Sequence, residues 1–147
     1  MMQKPIAAIA TPYGKGAISI IRISGENAIS LIEGIFPNVA LNNMPPNTMK
    51  YAQVIDHHQL IDDVMVVKYL APKSYTGEDM IEIFTHGGIR VTQNVLQVVL
   101  RCGIDLAKPG EFTERAYLNK KIDLIQAESV MDIIEAENDL QIQIAQA

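Results

Sequence analysis

Two charges stand where apolar side chains are expected. Arg22 lies between Ile21 and Ile23, and Glu82 lies between Ile81 and Ile83. A guanidinium or a carboxylate is costly to bury alone, so each needs a partner or an exposed position. The planar fork of Arg22 suits the carboxylate or carbonyl oxygens of a ligand. It suits equally well the solvent face of an edge strand, or one half of a structural ion pair. Glu82 has two natural partners. One is Arg22, and the other is a ligand with two adjacent N–H donors that one carboxylate accepts side by side. On the residues alone these alternatives stay open.

Other polar groups carry weaker signals. Thr11 to Gly16 resembles a phosphate loop loosely, but it lacks G-x-x-x-x-G-K-[ST] and precedes a strand. No helix N-terminus is therefore expected there to hold an anion, and no such motif occurs elsewhere in the chain. His57 and His58, with Asp56, Asp62 and Asp63, are metal-ligand types. Adjacent strand side chains point to opposite faces, so these residues read as a solvated hairpin tip and no metal is expected. His86 precedes Gly87-Gly88, where backbone amides can face a ligand or the imidazole can cap the next helix. Lys120, Lys121 and Asp123 form a charged turn between helices. Cys102 is the single cysteine, expected as a core residue in a reducing compartment. No catalytic residue is nominated.

These groups must be positioned by strands and helices in mixed order. Ile6 to Ala10 and Ile18 to Ser24 read as strands. Ser24 is a plausible N-cap for a helix carrying Ala28, Leu31, Ile32 and Ile35, weakened at Gly34. Pro37 to Thr48 is a loop. Met49 to Asp56 and Val64 to Leu70 form an expected hairpin, with His57 to Gln59 and Asp62-Asp63 around its turn. Pro72 to Asp79 is a loop and Met80 to Thr85 a strand. Val91, Val95, Val98, Val99 and Cys102 share a helical face that Gly103 ends. Glu111 to Leu118 is a short helix. Asp123 and Gln126 nearly form a capping box for a long amphipathic helix to Ala147, expected to belong to a second, helical domain. Strands in pairs with interspersed helices predict an α+β fold with a mixed or antiparallel sheet.

The 147 residues are enough for one domain with a core, 48% hydrophobic and 20% charged. The net charge of −5 argues against a surface that grips nucleic acid by itself. No apolar run approaches the ~20 residues of a membrane helix, so a cytoplasmic protein without a membrane anchor is expected.

Four stretches together carry a resemblance over nearly the whole chain. They are Ile9-Ala10-Thr11-Pro12 with Gly14-Lys15-Gly16 and Ile21-Arg22-Ile23-Ser24-Gly25; Ser74 to Asp79 with Glu82 and His86-Gly87-Gly88; Pro109-Gly110-Glu111-Phe112-Thr113-Glu114-Arg115-Ala116-Tyr117-Leu118-Asn119; and Lys121-Ile122-Asp123-Leu124-Ile125-Gln126-Ala127-Glu128. In order and spacing they resemble the N-terminal part of the tRNA uridine-5-carboxymethylaminomethyl modification GTPase family (MnmE/TrmE). The resemblance implies a folate-binding and dimerisation domain over residues 1–120 and the first helix of a central helical domain over 121–147. It implies a fold like the tetrahydrofolate-binding domain of the glycine-cleavage T-protein. The implied ligand is a 5-formyl- or 5,10-methylene-tetrahydrofolate one-carbon donor, held by Arg22, Glu82 and Lys121. A flavin-dependent partner protein and wobble uridine of tRNA are implied for the full complex. GTP, Mg and K ions are implied only for a Ras-like GTPase domain, whose motifs this chain lacks. The rival readings are a stand-alone folate-dependent aminomethyltransferase, a pure dimerisation scaffold and an RNA-binding module.

Overall fold

The computed structural model describes residues 3–10 and 18–131. The expected α+β class is present, built around a six-stranded sheet in the order β3-β4-β5-β2-β1-β6. The strands are β1 (Ile6–Ile9), β2 (Ser19–Ser24), β3 (Lys50–Asp56), β4 (Gln59–Tyr69), β5 (Met80–Thr85) and β6 (Asp105–Leu106). All neighbours run antiparallel except β1 and β6, which are parallel, so the sheet is mixed. The α-helices lying wholly within the described residues are α1 (Ala28–Ile32), α2 (Gly88–Leu100) and α3 (Glu111–Leu118).

Strand alternation sorts the sheet into two faces. Ile21, Ile23, Ile81, Ile83, Val64 and Val66 are buried in one core with Ile32 of α1 and Val95 and Val99 of α2. Val95, Val98 and Val99 recur at helical spacing, and the predicted apolar stripe of α2 is this core contact. Gly103, at a φ of 93°, follows the helix end as expected. Lys68 also lies on the core side and is nearly inaccessible. Its ammonium donates to Leu41 O at 2.9 Å and Asn42 O at 3.0 Å, which satisfies a charge the core cannot solvate.

The opposite face carries Arg22 and Glu82. The loop of residues 70–79 and helix α3 lie against it, through contacts of Tyr75 and Phe112 with Arg22. The backbone of α3 begins at Gly110, in a left-handed conformation. The sulfur of Met131, in the helix of residues 124–131, occupies the space a Cβ on Gly110 would take. That helix opens with the expected capping box. Asp123 N–H donates to Gln126 Oε1 at 3.0 Å, and Gln126 N–H donates to Asp123 Oδ1 at 2.7 Å. The continuation of the expected long helix to Ala147, and the loop of Thr11 to Gly16, lie outside the described residues.

Three local expectations are corrected. Ser24 does not cap α1. It ends β2 fully buried, and its hydroxyl serves Thr76 and Glu78, each at 2.8 Å, while Asn27 takes the cap position without a side-chain cap bond. Asp62 and Asp63 do not flank the hairpin turn, because β4 begins at Gln59 and takes both into its ladder. The strand β6 carries only two residues and went unpredicted.

The hairpin turn itself is His57-His58, with φ of 49° and 66°. Positive φ at both central positions is the type I′ pattern that Asn-Gly satisfies most easily. Left-handed histidine carries a steric cost, so His57→Asn with His58→Gly is expected to raise stability by about 1 kcal/mol. A thermal midpoint that stays level or falls would contradict this.

Candidate functional site

A single row of side chains crosses the sheet on the α3 face. The register pairs Val67 with Glu82, Glu82 with Arg22, and Arg22 with Ala8. Residues directly opposite on neighbouring antiparallel strands have close side chains, so Arg22 and Glu82 meet by construction. Arg22 Nη2 donates to Glu82 Oε2 at 3.0 Å, and Arg22 Nε donates to the same oxygen at 3.2 Å. The pair is half-buried, with side-chain exposures of 28% for Arg22 and 13% for Glu82. The second carboxylate oxygen, Oε1, accepts the phenol O–H of Tyr69 at 2.9 Å.

Aromatic rings complete the arrangement. The guanidinium carbon of Arg22 lies 5.5 Å from the centre of the Tyr75 ring and 5.8 Å from that of Phe112. Both distances are within cation–π range. The Tyr75 hydroxyl is tied to Thr113 Oγ1 at 2.8 Å, so the loop and α3 are fastened together beside the charges. A cleft of about 410 Å³ opens here, lined among others by Arg22, Tyr69, Lys73, Tyr75, Met80 and Glu82. That size falls in the range of small-molecule sites, ~300–1,000 Å³. Burial pushes the Tyr69 phenol above its ordinary value, and the hydrogen bond to Glu82 adds to the effect. The phenol therefore stays protonated at neutral pH and remains a donor.

The third expected residue lies apart from this pair. Lys121 Nζ donates to Pro72 O at 3.0 Å, and its stem passes close to Gly77. It does not line the cleft, although it grips the loop whose Lys73 to Tyr75 segment forms one wall. Asn119 Nδ2 holds the same loop at Thr76 O, 2.8 Å away. A second cleft, about 460 Å³, lies against Ala71, Gly77, Glu78, Asp79 and Asn119. Three of its polar side chains are already engaged: Glu78 with Arg115 and Ser24, Asp79 with Ala71 N–H, and Asn119 with Thr76.

The remaining candidates separate from the site. His86 lines neither cleft, and Gly87 holds the N-cap position of α2 with no side-chain cap bond there. Asp56 is paired with Arg101 at 3.1 Å, and Asp63 accepts the hydroxyl of Tyr51. Among the described residues no group of three His, Cys, Asp or Glu side chains is placed to hold a metal ion. Cys102 packs against the core, its thiol donates to Val98 O at 3.4 Å, and burial pushes that thiol up, away from nucleophilic form. No described helix is long and apolar enough to cross a membrane.

Tyr69, Tyr75 and Phe112 were missed as site residues from the sequence. Aromatic residues in strands and beside turns are ordinarily packing residues. Only the fold shows that these three converge on one charge pair.

A mixed-sheet α+β domain with a preformed, charge-paired cleft is thus defined by its geometry. The family model described as "GTP-binding protein TrmE N-terminus" matches residues 5–121. The chain is 51% identical over 140 residues to the tRNA modification GTPase MnmE of Streptococcus mutans, covering 95% of this chain and 31% of that protein. It is 49% identical over 146 residues to the protein of that name from Acholeplasma laidlawii, covering 99% of this chain and 33% of the relative. The chain belongs to this family, as an N-terminal domain of MnmE/TrmE type. It spans about a third of the length of the curated relatives it matches.

Proposed function

We propose that this chain is the tetrahydrofolate-binding and dimerisation domain of a tRNA modification GTPase. One observation carries the reading. Glu82, Arg22 and two tyrosines form a cleft of ligand size on a sheet face that would otherwise need only apolar cover. The donor set suits a reduced pterin. Glu82 accepts the ring's two adjacent N–H groups, and the guanidinium N–H groups of Arg22 not spent on Glu82 meet carbonyl or carboxylate oxygen. Lys121 is assigned to oxygens farther out on the ligand. The flat Tyr75 ring in the cleft suits a heterocycle, which it can contact face or edge on, while Phe112 backs the Arg22 guanidinium. When bound, a 5-formyl- or 5,10-methylene-tetrahydrofolate supplies the one-carbon unit. The protein's residues orient the ring, and none of them acts as acid or base.

The wider reading rests on family membership. Residues 1–120 form the folate domain, with a fold like that of the glycine-cleavage T-protein, and 121–147 begin a helical domain. The domain forms a homodimer in the cytoplasm. The whole protein hydrolyses GTP in a separate GTPase domain, with Mg and K ions. With a flavin-dependent partner it modifies the wobble uridine of tRNA.

The Arg22–Glu82 ion pair also fits a pure dimerisation scaffold, in which the two charges only satisfy each other. Calorimetric titration of the purified protein with 5-formyltetrahydrofolate separates the two. Saturable binding, one ligand per chain, is expected. It should be abolished in Glu82→Ala with the circular dichroism spectrum unchanged. A folded, dimeric protein that binds no reduced folate would favour the scaffold.

A further inference from the structure

We infer that Tyr69 is a positioning and specificity residue, fixing the Glu82 carboxylate so that it selects ligands bearing an amine beside a ring N–H. This deepens the folate reading and rests on it. Tyr69 sits on β4, diagonal to Glu82 on the same face, and lines the same cleft. Its hydroxyl holds Oε1 at 2.9 Å, while Arg22 holds Oε2 at 3.0 Å. A carboxylate gripped at both oxygens by groups from two flanking strands cannot rotate freely about its terminal bond. Three of the carboxylate's roughly four lone-pair sites are engaged, two on Oε2 and one on Oε1, so Oε1 keeps a free site and a ligand N–H at Oε2 takes the place of one arm of Arg22. The acceptor is therefore set in one plane before a ligand arrives, which lowers the ordering cost of binding. The held orientation also penalises a ring edge that lacks one donor, because one carboxylate oxygen then loses its ligand contact without room to turn.

Arg22 alone does not achieve this. Both of its bonds go to Oε2, which leaves rotation to be stopped at Oε1. Tyr69 is the described side chain that reaches that atom.

The test uses the purified protein and two probes, 5-formyltetrahydrofolate and its 2-desamino analogue, in which hydrogen replaces the ring amine. The unaltered protein is expected to prefer the amino form strongly. Tyr69→Phe removes one oxygen and leaves the half-buried ring in place. It is expected to weaken the amino form about tenfold, the scale of one hydrogen bond to a charged group, and to leave the desamino form nearly unchanged. The preference therefore falls about tenfold. Equal weakening of both probes would show that Tyr69 only supports the fold, and would overturn the inference. An unchanged preference would overturn it as well. Binding of neither probe by the unaltered protein would instead defeat the folate reading.

Discussion

Replacing Arg115 with alanine is expected to lower the unfolding free energy by about 3–5 kcal/mol. The residue is 3% exposed, although it lies in a short helix of largely polar sequence. Its Nη1 donates to both oxygens of Glu78, at 3.0 and 3.3 Å, and its Nη2 donates to Lys4 O at 2.6 Å. Glu111 lies 3.5 Å from the same nitrogen. Alanine leaves Glu78 with only the Ser24 hydroxyl and the backbone of Lys4 without its donor. Losing one partner of a buried ion pair costs far more than the intact pair contributes, because the remaining charge stays desolvated. Arg115→Lys is expected to fall between, since an ammonium cannot reproduce the two-armed grip. Urea unfolding followed by circular dichroism measures both. A loss under about 1 kcal/mol for Arg115→Ala would mean that Glu78 finds water or another partner.

Gly25→Ala is expected to be comparably damaging, for a steric reason. The φ of Gly25 is 153°, and an added Cβ would meet Pro5 Cα at 2.5 Å and Pro5 Cβ at 2.7 Å. The nearer atom is backbone, so no side-chain rotation relieves the clash. Gly25 also donates to Asp79 O at 3.0 Å, and its carbonyl accepts from Ala28 N–H at 3.1 Å, so its position is held from both sides. Strain of about 1–3 kcal/mol and overpacking of about 1–3 kcal/mol together give an expected loss of about 2–6 kcal/mol. Gly103→Ala is the control: its φ is 93°, but nothing lies within 4 Å of the added atom. It should lose only about 1–2 kcal/mol, the backbone cost alone. Equal losses at the two positions would show that the contact with Pro5 relaxes freely.

What was legible in the sequence follows from the range of each interaction. Arg22 and Glu82 stood out because each interrupts a run of isoleucines, a pattern visible within three residues. Their pairing was one of the open alternatives, and the register of β2 against β5 places them opposite each other. Glu111–Leu118 and the Asp123–Gln126 box were also readable, since capping and periodicity act over a few positions. Ser24 misled because a hydroxyl a few residues ahead of a helix is ordinarily a cap, and its actual partners lie 52 and 54 residues away. Arg115 gave no local sign of burial, because its acceptor Glu78 is 37 positions distant. Tyr69 presents the same difficulty. An aromatic ring on a strand says nothing about which atom its hydroxyl reaches until β4 and β5 are aligned.

Pairing between distant stretches of the chain bears on how the protein is made. β1 pairs with β6, at Ile6 opposite Asp105, and the carbonyl of Lys4 is bonded to Arg115, 111 positions later. β2 likewise waits for β5, with Arg22 and Glu82 separated by 60 residues. At translation speeds of about 5–20 residues per second, β1 is synthesised about 5–20 seconds before β6 exists, and β2 about 3–12 seconds before β5. During that interval the isoleucines of β1 and β2 have only each other's strand to pair with. Contacts of such long sequence range also slow closure once all parts are present. The cleft likewise comes into being only after β5 is made, because its walls run from Arg22 to Glu82.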